Sequence, residues 1–269
     1  IDDIIVNNSN YIPVITSMTH SAVAVLTEFV GRGVSTCHSI MGWVPFVDKE
    51  TGEEGISTPT MRDRNAEPRL PSNTILIVDE AGLLGHTEMR LLVEEAKKTG
   101  ARILLIGDHK QCFPVFKEGE KECIPSHDYT VNHGTLLELT IPKRVDKDDM
   151  IYKLSVKARE AVDGAAHPKP ITALNNDGTK KGVRHVEDIE DIAYAAFKAG
   201  VRDNNTRNIK VLTFTNKRSL TLNRKIRKNV LGYKGLCPKV GEEMVANTTI
   251  TNSVGDMCLI RNNELVIVK

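Results

Sequence analysis

The sequence predicts an α/β fold built on a parallel sheet, and three features lead to this prediction. Residues 74–78 and 103–106 are continuous Ile, Leu and Val runs of the kind found in strands buried on both faces of a parallel sheet. One helix-length segment separates the runs, and right-handed crossovers make such strands parallel. The first run leads into Asp79-Glu80 and the second into residues 107–111. Because parallel strands end at one edge of the sheet, we expect these two polar segments to meet where ligands of open α/β folds bind.

The other elements of the first half have simpler signals. Residues 12–16 form a short apolar strand, and residues 21–30 a helix rich in Ala, Val and Leu that a glycine ends. Residues 45–72 are rich in Thr, Pro, Gly and charged side chains without a sustained period, which indicates an exposed insertion, with a β-hairpin as one form. Residues 86–98 carry apolar side chains on one helical face and stop before Gly100. This helix is the predicted crossover between the two apolar runs.

The second half contains a further α/β pattern. Short apolar runs predict strands at 136–140 and 210–215, the latter opening a second α/β unit. Asn262-Asn263 is typical of a tight turn and predicts a hairpin between residues 257–261 and 264–268. Three helices are expected from one-sided apolar spacing and helix-forming residues: 146–162, 186–201 and 216–230.

Composition narrows the class of protein. The chain has 269 residues, with 36 Lys and Arg against 35 Asp and Glu, which is ordinary for a globular protein of one large or two medium domains. We favour two domains, 1–144 and 145–269. The sequence has neither a run of about 18 apolar residues nor a secretory signal, so we expect a cytoplasmic protein without a membrane partner. The five cysteines are scattered without C-x-x-C spacing, which argues against a disulfide framework or a zinc site.

The two polar segments predict nucleoside triphosphate chemistry. A carboxylate at a sheet edge can hold Mg²⁺ through its waters, and a second can accept a proton from an attacking water, which suits Asp79 and Glu80. An Asp-Glu pair after an apolar run is, by itself, equally compatible with a solvated strand-to-loop junction. Asp108 and Gln111 at the neighbouring strand end favour the first interpretation, because the Gln111 amide can sense a γ-phosphate. ATP and Mg²⁺ are therefore the expected ligands.

Several segments, in order, resemble the motifs of superfamily 1 DNA helicases of the RecD and Dda type. They cover nearly the whole chain, and six ordered matches are far more specific than any one of them. The matching segments are 12–22 (motif Ia), 35–40 (motif Ib), 79–82 (motif II, Walker B), 107–115 (motif III), 139–144 (motif IV) and 214–217, which resembles the segment that opens the second motor domain. Met18 stands where this family usually has Pro, and Cys112-Phe113 where it usually has Leu-Pro.

The resemblance implies two RecA-like, P-loop NTPase domains with parallel sheets. The first, 1–144, would be nearly complete with 45–72 as a pin-like insertion, and the second, 145–269, truncated. The activity implied is an ATP-dependent helicase that moves 5′ to 3′ on single-stranded DNA and unwinds duplex DNA. Asp79 would hold Mg²⁺, Glu80 activate water, Asp108 and Gln111 contact the nucleotide, and Arg144 stabilise the transferred charge. The implied contacts with the DNA strand are Thr16, Thr19, His20, Thr36, His38, Asn216 and Lys217.

Charge placement supports a nucleic-acid partner. Residues 204–241 contain ten Lys and Arg residues and no acidic residue. Such a segment can neutralise phosphates whatever the base sequence, although a single charge run is more often a solvated helix face. The expected partners are single-stranded and forked duplex DNA, with replication or recombination proteins of a bacterial or phage-infected cell.

One family motif is missing from the sequence. No G-x-x-x-x-G-K-[ST] phosphate loop occurs, and the resemblance places that loop before Ile1 and motif VI beyond Lys269. With the absence of an initiator Met, this predicts an internal fragment that does not hydrolyse ATP alone, although its parent does. Two alternatives stay open: a non-catalytic nucleic-acid-binding accessory subunit, and a RecD-like subunit of a recombination nuclease complex.

Overall fold

The computed structural model of the chain describes residues 10–31, 33–47, 54–111, 113–114, 116, 119–169, 172–174, 182–203, 205–213, 215–235, 237–245, 250–251, 258–260 and 265–269. The chain divides into two compact units. The first unit comprises Ile1–Leu139 and Val245–Val266, and the second Thr140–Met244 and Ile267–Lys269. Several sequence features lie outside the described residues: the start of the chain at Ile1, parts of the motif segments at Cys112, Val115 and Phe214, and the turn Asn262-Asn263.

Helices and strands alternate along the described chain. The strands are β1 (Ile12–Ser17), β2 (Ser35–Thr36), β3 (Val44–Val47), β4 (Glu54–Ser57), β5 (Thr74–Asp79), β6 (Arg102–Leu105), β7 (Ala173–Leu174), β8 (Gly182–Val183), β9 (Glu243–Val245), β10 (Ile250–Thr251), β11 (Cys258–Ile260) and β12 (Leu265–Ile267). The helices are α1 (His20–Val30), α2 (Cys37–Met41), α3 (Pro59–Arg62), α4 (His86–Thr99), α5 (Pro125–His133), α6 (Met150–Val162), α7 (Ile189–Arg202) and α8 (Asn216–Asn229). Ala81–Leu83 and Thr206–Asn208 form 3₁₀ turns.

A four-stranded parallel sheet forms the centre of the first unit. Its strand order is β2-β1-β5-β6, and every neighbouring pair is parallel. The predicted α/β class, the two apolar strands and their adjacency are therefore confirmed. Helix α4 is the predicted crossover between β5 and β6. It ends where Gly100 takes the left-handed conformation (φ 73°) and donates its N–H to the Ala96 carbonyl.

The central strand β5 is buried on both faces, as predicted. Leu76 and Val78 pack with Met89, Leu92 and Val93 of α4 on one face. Ile77 packs on the opposite face with Ile15 of β1 and Val23 of α1. Because successive side chains of a strand point to opposite faces, one short strand ties both layers to the sheet. Helices α1 and α4 therefore cover opposite faces.

Strand β6 departs from the prediction of burial on both faces. Ile103 and Leu105 pack against the α4 layer. On the other face Leu104 and Ile106 are exposed, with 40% of the Ile106 surface accessible. The α1 layer is centred on β1 and β5 and does not include Leu104 or Ile106. The apolar run alone therefore overestimated the burial of this strand.

The predicted insertion contains a β-hairpin. Strands β3 and β4 pair antiparallel, from Val44 opposite Ser57 to Val47 opposite Glu54. The β3 side chains are exposed, and the Phe46 ring lies over Gly55, where an added Cβ would meet the ring at 2.6 Å. Residues 48–53, which connect the strands, lie outside the described residues.

The second unit has the three predicted helices with shifted starts. Helix α6 begins at Met150 rather than at residue 146, because Asp146 and Asp149 accept backbone N–H groups from Asp148 and Ile151 and form a turn and an N-cap. Helix α7 likewise begins after the capping side chain of Asp188. Helix α8 covers nearly all of the range that the sequence predicted.

Two strand predictions and one hairpin prediction in the second half are wrong, although the strands predicted at 257–261 and 264–268 are present as β11 and β12. Residues 136–140 and the described part of 210–215 form no strand, and Leu139 and Leu212 are 96% and 93% exposed, so no neighbouring layer covers them. The expected hairpin around Asn262-Asn263 is replaced by other pairings. Strand β11 pairs with β10, and β12 pairs with β9. Within the second unit, β7 and β8 form an antiparallel pair, and the described residues of this unit show no parallel sheet of the kind that was expected.

Among the described residues, none of the helices combines the length and apolar character needed to cross a lipid bilayer.

Candidate functional site

The chain reverses its winding direction between β1 and β5. Strand β1 connects through α1 to β2 on one side, whereas β5 connects through α4 to β6 on the other. Such a reversal opens a crevice at the carboxyl ends of the two strands, where open α/β sheets bind ligands. Ser17 and Asp79 are paired in register at these ends, and Ser17 Oγ donates to the Asp79 carbonyl at 3.2 Å. The topology therefore places Asp79 at the ligand-binding edge.

Glu80 has a strained backbone at this edge. It is the one non-glycine among the described residues with a positive φ, at φ 53° and ψ 39°. The left-handed conformation costs about 1–2 kcal/mol for a residue with a Cβ. Such strain persists where the surrounding structure enforces it, and it clusters at functional sites. Here the turn places the half-buried Asp79 beside the exposed Glu80.

The loop after β6 lies directly against the loop after β5. Ala81 donates its N–H to the Ile106 carbonyl at 2.8 Å, and Ile106 donates its own to the Val78 carbonyl at 2.9 Å. A Cβ added to Gly107 would lie 2.9 Å from the Gly82 nitrogen, so this position has no room for a side chain. The structure thus brings the two polar segments into backbone contact, as expected from the parallel strands.

Asp108 holds Gln111 within the second loop. One carboxylate oxygen of Asp108 accepts the Lys110 N–H at 3.0 Å, and the other accepts Gln111 Nε2 at 3.2 Å. Gln111 is exposed, so its amide is accessible from solvent while its orientation is set by Asp108. This arrangement suits a polar group that responds to a phosphate at the edge of the sheet.

The donor set at this edge fits Mg²⁺ held with a nucleotide. The described residues contain no cluster of three or more His, Cys, Asp or Glu side chains that could hold a metal alone. Mg²⁺ is usually held by one or two carboxylates together with waters and substrate phosphates. Asp79 and Glu80 can supply one or two carboxylates of that kind.

The predicted strand contacts on β1 have different accessibilities. Thr16 is fully buried, and its hydroxyl donates to the Ile77 carbonyl at 3.2 Å, so its predicted role as a DNA contact is corrected to one inside the sheet. Thr19 accepts the Ala22 N–H at 3.2 Å and caps α1. His20, the first residue of that helix, is partly exposed. Both follow the carboxyl end of β1 and so lie at the same edge as Asp79.

The last residue of β2 and the residues just after it form a compact group at the next strand end. Thr36 is largely buried and caps α2 by accepting the Ser39 N–H at 3.2 Å. His38 meets the buried Trp43 edge-to-face, with ring centroids 5.6 Å apart. Burial lowers the pKa of His38, against an opposing effect of the Glu88 carboxylate. A neutral His38 suits stacking or hydrogen bonding with a base better than pairing with a phosphate.

The remaining predicted residues belong to the second unit. Asn216 and Lys217 are exposed in the first turn of α8, which begins after the capping hydroxyl of Thr215. Arg144 is exposed in the irregular segment between α5 and α6.

Sequence reasoning missed Ser17 and Gly107. Ser17 links the ends of β1 and β5, and Gly107 allows the two loops to touch. A signal for Gly107 was present, since a glycine directly after a buried strand often marks a close backbone approach. No sequence signal identified Ser17.

Three comparisons place the chain among known proteins. Residues 5–131 match the family model described as "AAA domain". A stretch of 71 residues is 35% identical to the "Probable conjugal transfer protein TraA" of Sinorhizobium fredii (strain NBRC 101917 / NGR234) and 32% identical to the "Conjugal transfer protein TraA" of Agrobacterium fabrum (strain C58 / ATCC 33970). The matched stretch covers 26% of this chain and 6% of each TraA protein.

Two solved structures of Bacteroides Pif1 are similar over 98% of this chain and 61% of their own chains. The structure in complex with ADP-AlF4 has a TM-score of 0.43 at 16% identity. The structure bound to ssDNA has a TM-score of 0.36 at 12% identity. The chain therefore spans less than two thirds of the Pif1 chains.

Proposed function

We propose that the protein containing this chain is an ATP-dependent DNA helicase of superfamily 1 that moves 5′ to 3′ on single-stranded DNA. The observation that carries the proposal is the contact between the Asp79-Glu80 turn and the Gly107–Gln111 loop at the winding reversal of a parallel sheet. The match of residues 5–131 to an AAA domain supports nucleotide use by this unit. The direction of movement follows from the motif resemblance alone.

In this proposal the polar edge of the first unit handles the nucleotide. Asp79 would hold the Mg²⁺ of Mg·ATP through its waters, and the ion would neutralise charge on the phosphates. Glu80, exposed in its strained turn, accepts the proton of the attacking water. Gln111, oriented by Asp108, contacts the terminal phosphate. Arg144 supplies positive charge to the transferred phosphoryl group.

The neighbouring strand ends provide the DNA contacts. Thr19 and His20 follow β1, and Asp79 is the last residue of the adjacent β5. Thr36 is the last residue of β2, and His38 lies just after it in α2. Asn216 and Lys217 add contacts from the second unit. The Ser17–Asp79 hydrogen bond joins the end of β1 to the end of β5, so the proposed DNA contacts after β1 lie beside the proposed nucleotide site. The β3–β4 hairpin acts as the pin that separates duplex strands.

The TraA relatives suggest a setting for this activity. Their name describes conjugal transfer, and 71 residues of this chain match them. Unwinding in support of DNA transfer or recombination is therefore part of the proposal.

The experiment compares the complete encoded protein with its Glu80→Gln variant. We expect ATP hydrolysis stimulated by single-stranded DNA, and unwinding of a forked duplex, to fall about 100-fold or more, because general-base catalysis contributes about 10²–10⁴ in rate. Binding of single-stranded DNA should remain. Glu67→Gln, an exposed glutamate outside the edge, is the matched control and should behave as the wild type. DNA binding without hydrolysis by the wild type would instead favour a non-catalytic accessory subunit.

A further inference from the structure

The basic residues of α8 fall into two sets that the sequence does not distinguish. Three are neutralised by glutamates of the second unit, and three are not. The six residues are Lys217, Arg218, Arg224, Lys225, Arg227 and Lys228.

Glu190 of α7 neutralises two members of the first set. Arg218 Nη2 lies 2.5 Å from one of its oxygens, and Lys225 Nζ lies 2.7 Å from the other. The Tyr194 hydroxyl donates to the same carboxylate at 3.2 Å. The Glu190 side chain is only 16% exposed, so these contacts join α7 to α8 in a partly buried setting.

The third neutralised residue, Arg227, has a structural role. Its guanidinium binds the Glu242 carboxylate, with Nη2 to Oε2 at 2.9 Å. It also donates to the carbonyls of Gly235 and Cys237 at 3.0 Å each. The Glu242 side chain is 9% exposed, so Arg227 fastens the segment after α8 to the helix. These donors are occupied and are not available to a ligand.

Lys217, Arg224 and Lys228 form an exposed row that we call the basic stripe. Among the described residues none of the three has a side-chain ion pair or hydrogen bond. At 100° per residue they lie within about 40° of one another around the helix axis. The buried Leu222 and Ile226 occupy the opposite side of α8. The stripe is about 16 Å long at 1.5 Å per residue.

No ion pair or hydrogen bond among the described residues stabilises the positive charges of the basic stripe. Arg224 and Lys228 are four residues apart on the same face, and like charges at this spacing destabilise a helix by a few tenths of a kcal/mol. The unneutralised charges therefore favour an external anion with repeating negative charge. At about 3.4 Å per nucleotide in one strand, 16 Å corresponds to roughly five nucleotides.

We propose that the basic stripe binds the phosphate backbone of single-stranded DNA, and that Arg218, Lys225 and Arg227 do not. This inference rests on the proposed function and refines it, because it adds Arg224 and Lys228 to the strand contacts. From the sequence alone, all basic residues of segment 204–241 were treated as equivalent phosphate contacts, and the ion pairs of α8 now separate them into two sets.

The test compares Lys228→Gln with Lys225→Gln in the complete encoded protein. Both variants lose one positive charge from the same helix, so a general effect of net charge would be equal in the two. Binding of a labelled oligodeoxythymidine is followed by fluorescence anisotropy over a range of salt concentrations. The logarithm of the affinity falls as the logarithm of the salt concentration rises, and each phosphate contact increases the magnitude of this slope by about 0.7.

We expect Lys228→Gln to lower the salt slope by about 0.7 and Lys225→Gln to leave it unchanged. The triple variant Lys217→Gln, Arg224→Gln, Lys228→Gln should lower the slope by about 2 while melting like the wild type, because all three side chains are exposed. Equal slopes for Lys225→Gln and Lys228→Gln would overturn the stripe, even where the wild type binds DNA tightly. A wild-type protein that does not bind the oligonucleotide would instead overturn the proposed helicase function.

Discussion

Replacing Gly107 by alanine tests whether contact between the two polar segments, Asp79-Glu80 and residues 107–111, maintains the candidate nucleotide site. The added Cβ would lie 2.9 Å from the Gly82 nitrogen and 3.2 Å from the Ala81 nitrogen. Both neighbours are backbone atoms, so the loops must move apart. The Ala81 N–H bond to the Ile106 carbonyl, at 2.8 Å, lies directly beside the new methyl group and would weaken. The backbone of Gly107 does not have a positive φ, so the substitution introduces no left-handed backbone strain.

The size of the effect follows from these contacts. Overpacking a filled site costs about 1–3 kcal/mol, and a lost backbone hydrogen bond costs about 1 kcal/mol. The free energy of unfolding should therefore fall by about 2–4 kcal/mol. For a protein of this size, that corresponds to a drop in melting temperature of roughly 5–15 °C. A shift of the Glu80 turn by a few tenths of an ångström should also lower ATP turnover by about tenfold.

Thermal unfolding followed by circular dichroism measures the stability, and single-strand-stimulated hydrolysis by the complete protein measures the function. Gly33→Ala is the matched control, because an added Cβ there has no neighbour within 4 Å and its φ is not positive. Gly82→Ala should be intermediate, since its Cβ would lie 3.3 Å from the Asp108 carbonyl oxygen. If Gly107→Ala melts and turns over ATP like Gly33→Ala, the contact between the loops does not maintain the site.

Two further predictions follow from the charges and from the hairpin. Hydrogen bonds from Lys225 and Arg227 hold the pKa values of Glu190 and Glu242 below the usual glutamate range, so their stabilisation is present above that range and is lost as the pH falls through the lowered values. The melting temperature of the wild type should drop on acidification from about pH 5 to pH 3. The melting temperature of Glu242→Gln should be lower at about pH 5 and should change less over the same range. Parallel dependences of the two melting temperatures on pH would contradict this. Phe46→Ala removes the ring that covers Gly55 in the β3–β4 hairpin, and we expect forked-duplex unwinding to fall roughly tenfold, about 1.4 kcal/mol in the barrier, while single-strand-stimulated hydrolysis is unchanged. Equal loss of both activities would exclude the pin.

The sequence predicted the elements whose signals are local. The apolar run 74–78 and the helical spacing of 86–98 specify β5 and α4, because each buries side chains in a pattern that a short window reveals. The glycine that ends α1, Gly31, was an equally local signal. The sequence also predicted that the two polar segments would meet, since parallel strands joined by a crossover end at the same edge of the sheet.

Other features depend on partners that are distant in sequence. Residues 103–106 resemble 74–78, yet Leu104 and Ile106 are exposed because burial depends on the layer that covers the sheet. Thr16 resembled a surface contact, but its hydroxyl bonds with Ile77, 61 residues away. In the sequence, the basic residues of α8 cannot be told apart. In the structure, Glu190 forms ion pairs with Arg218 and Lys225, which are 28 and 35 residues away, so these two are not available to a ligand. Long-range pairing of this kind has no signature in a single sequence.

The most direct measurement of the central claim is the Mg²⁺ dependence of nucleotide binding. Isothermal titration of the complete encoded protein with a non-hydrolysable ATP analogue, with Mg²⁺ or with a chelator, gives the affinity gained from the metal. If the edge formed by Asp79-Glu80 and the Gly107–Gln111 loop holds Mg·ATP, Mg²⁺ should raise the affinity of the wild type at least tenfold, about 1.4 kcal/mol, and should raise that of Asp79→Asn much less. An equal gain in the two proteins would show that the metal and the nucleotide bind elsewhere.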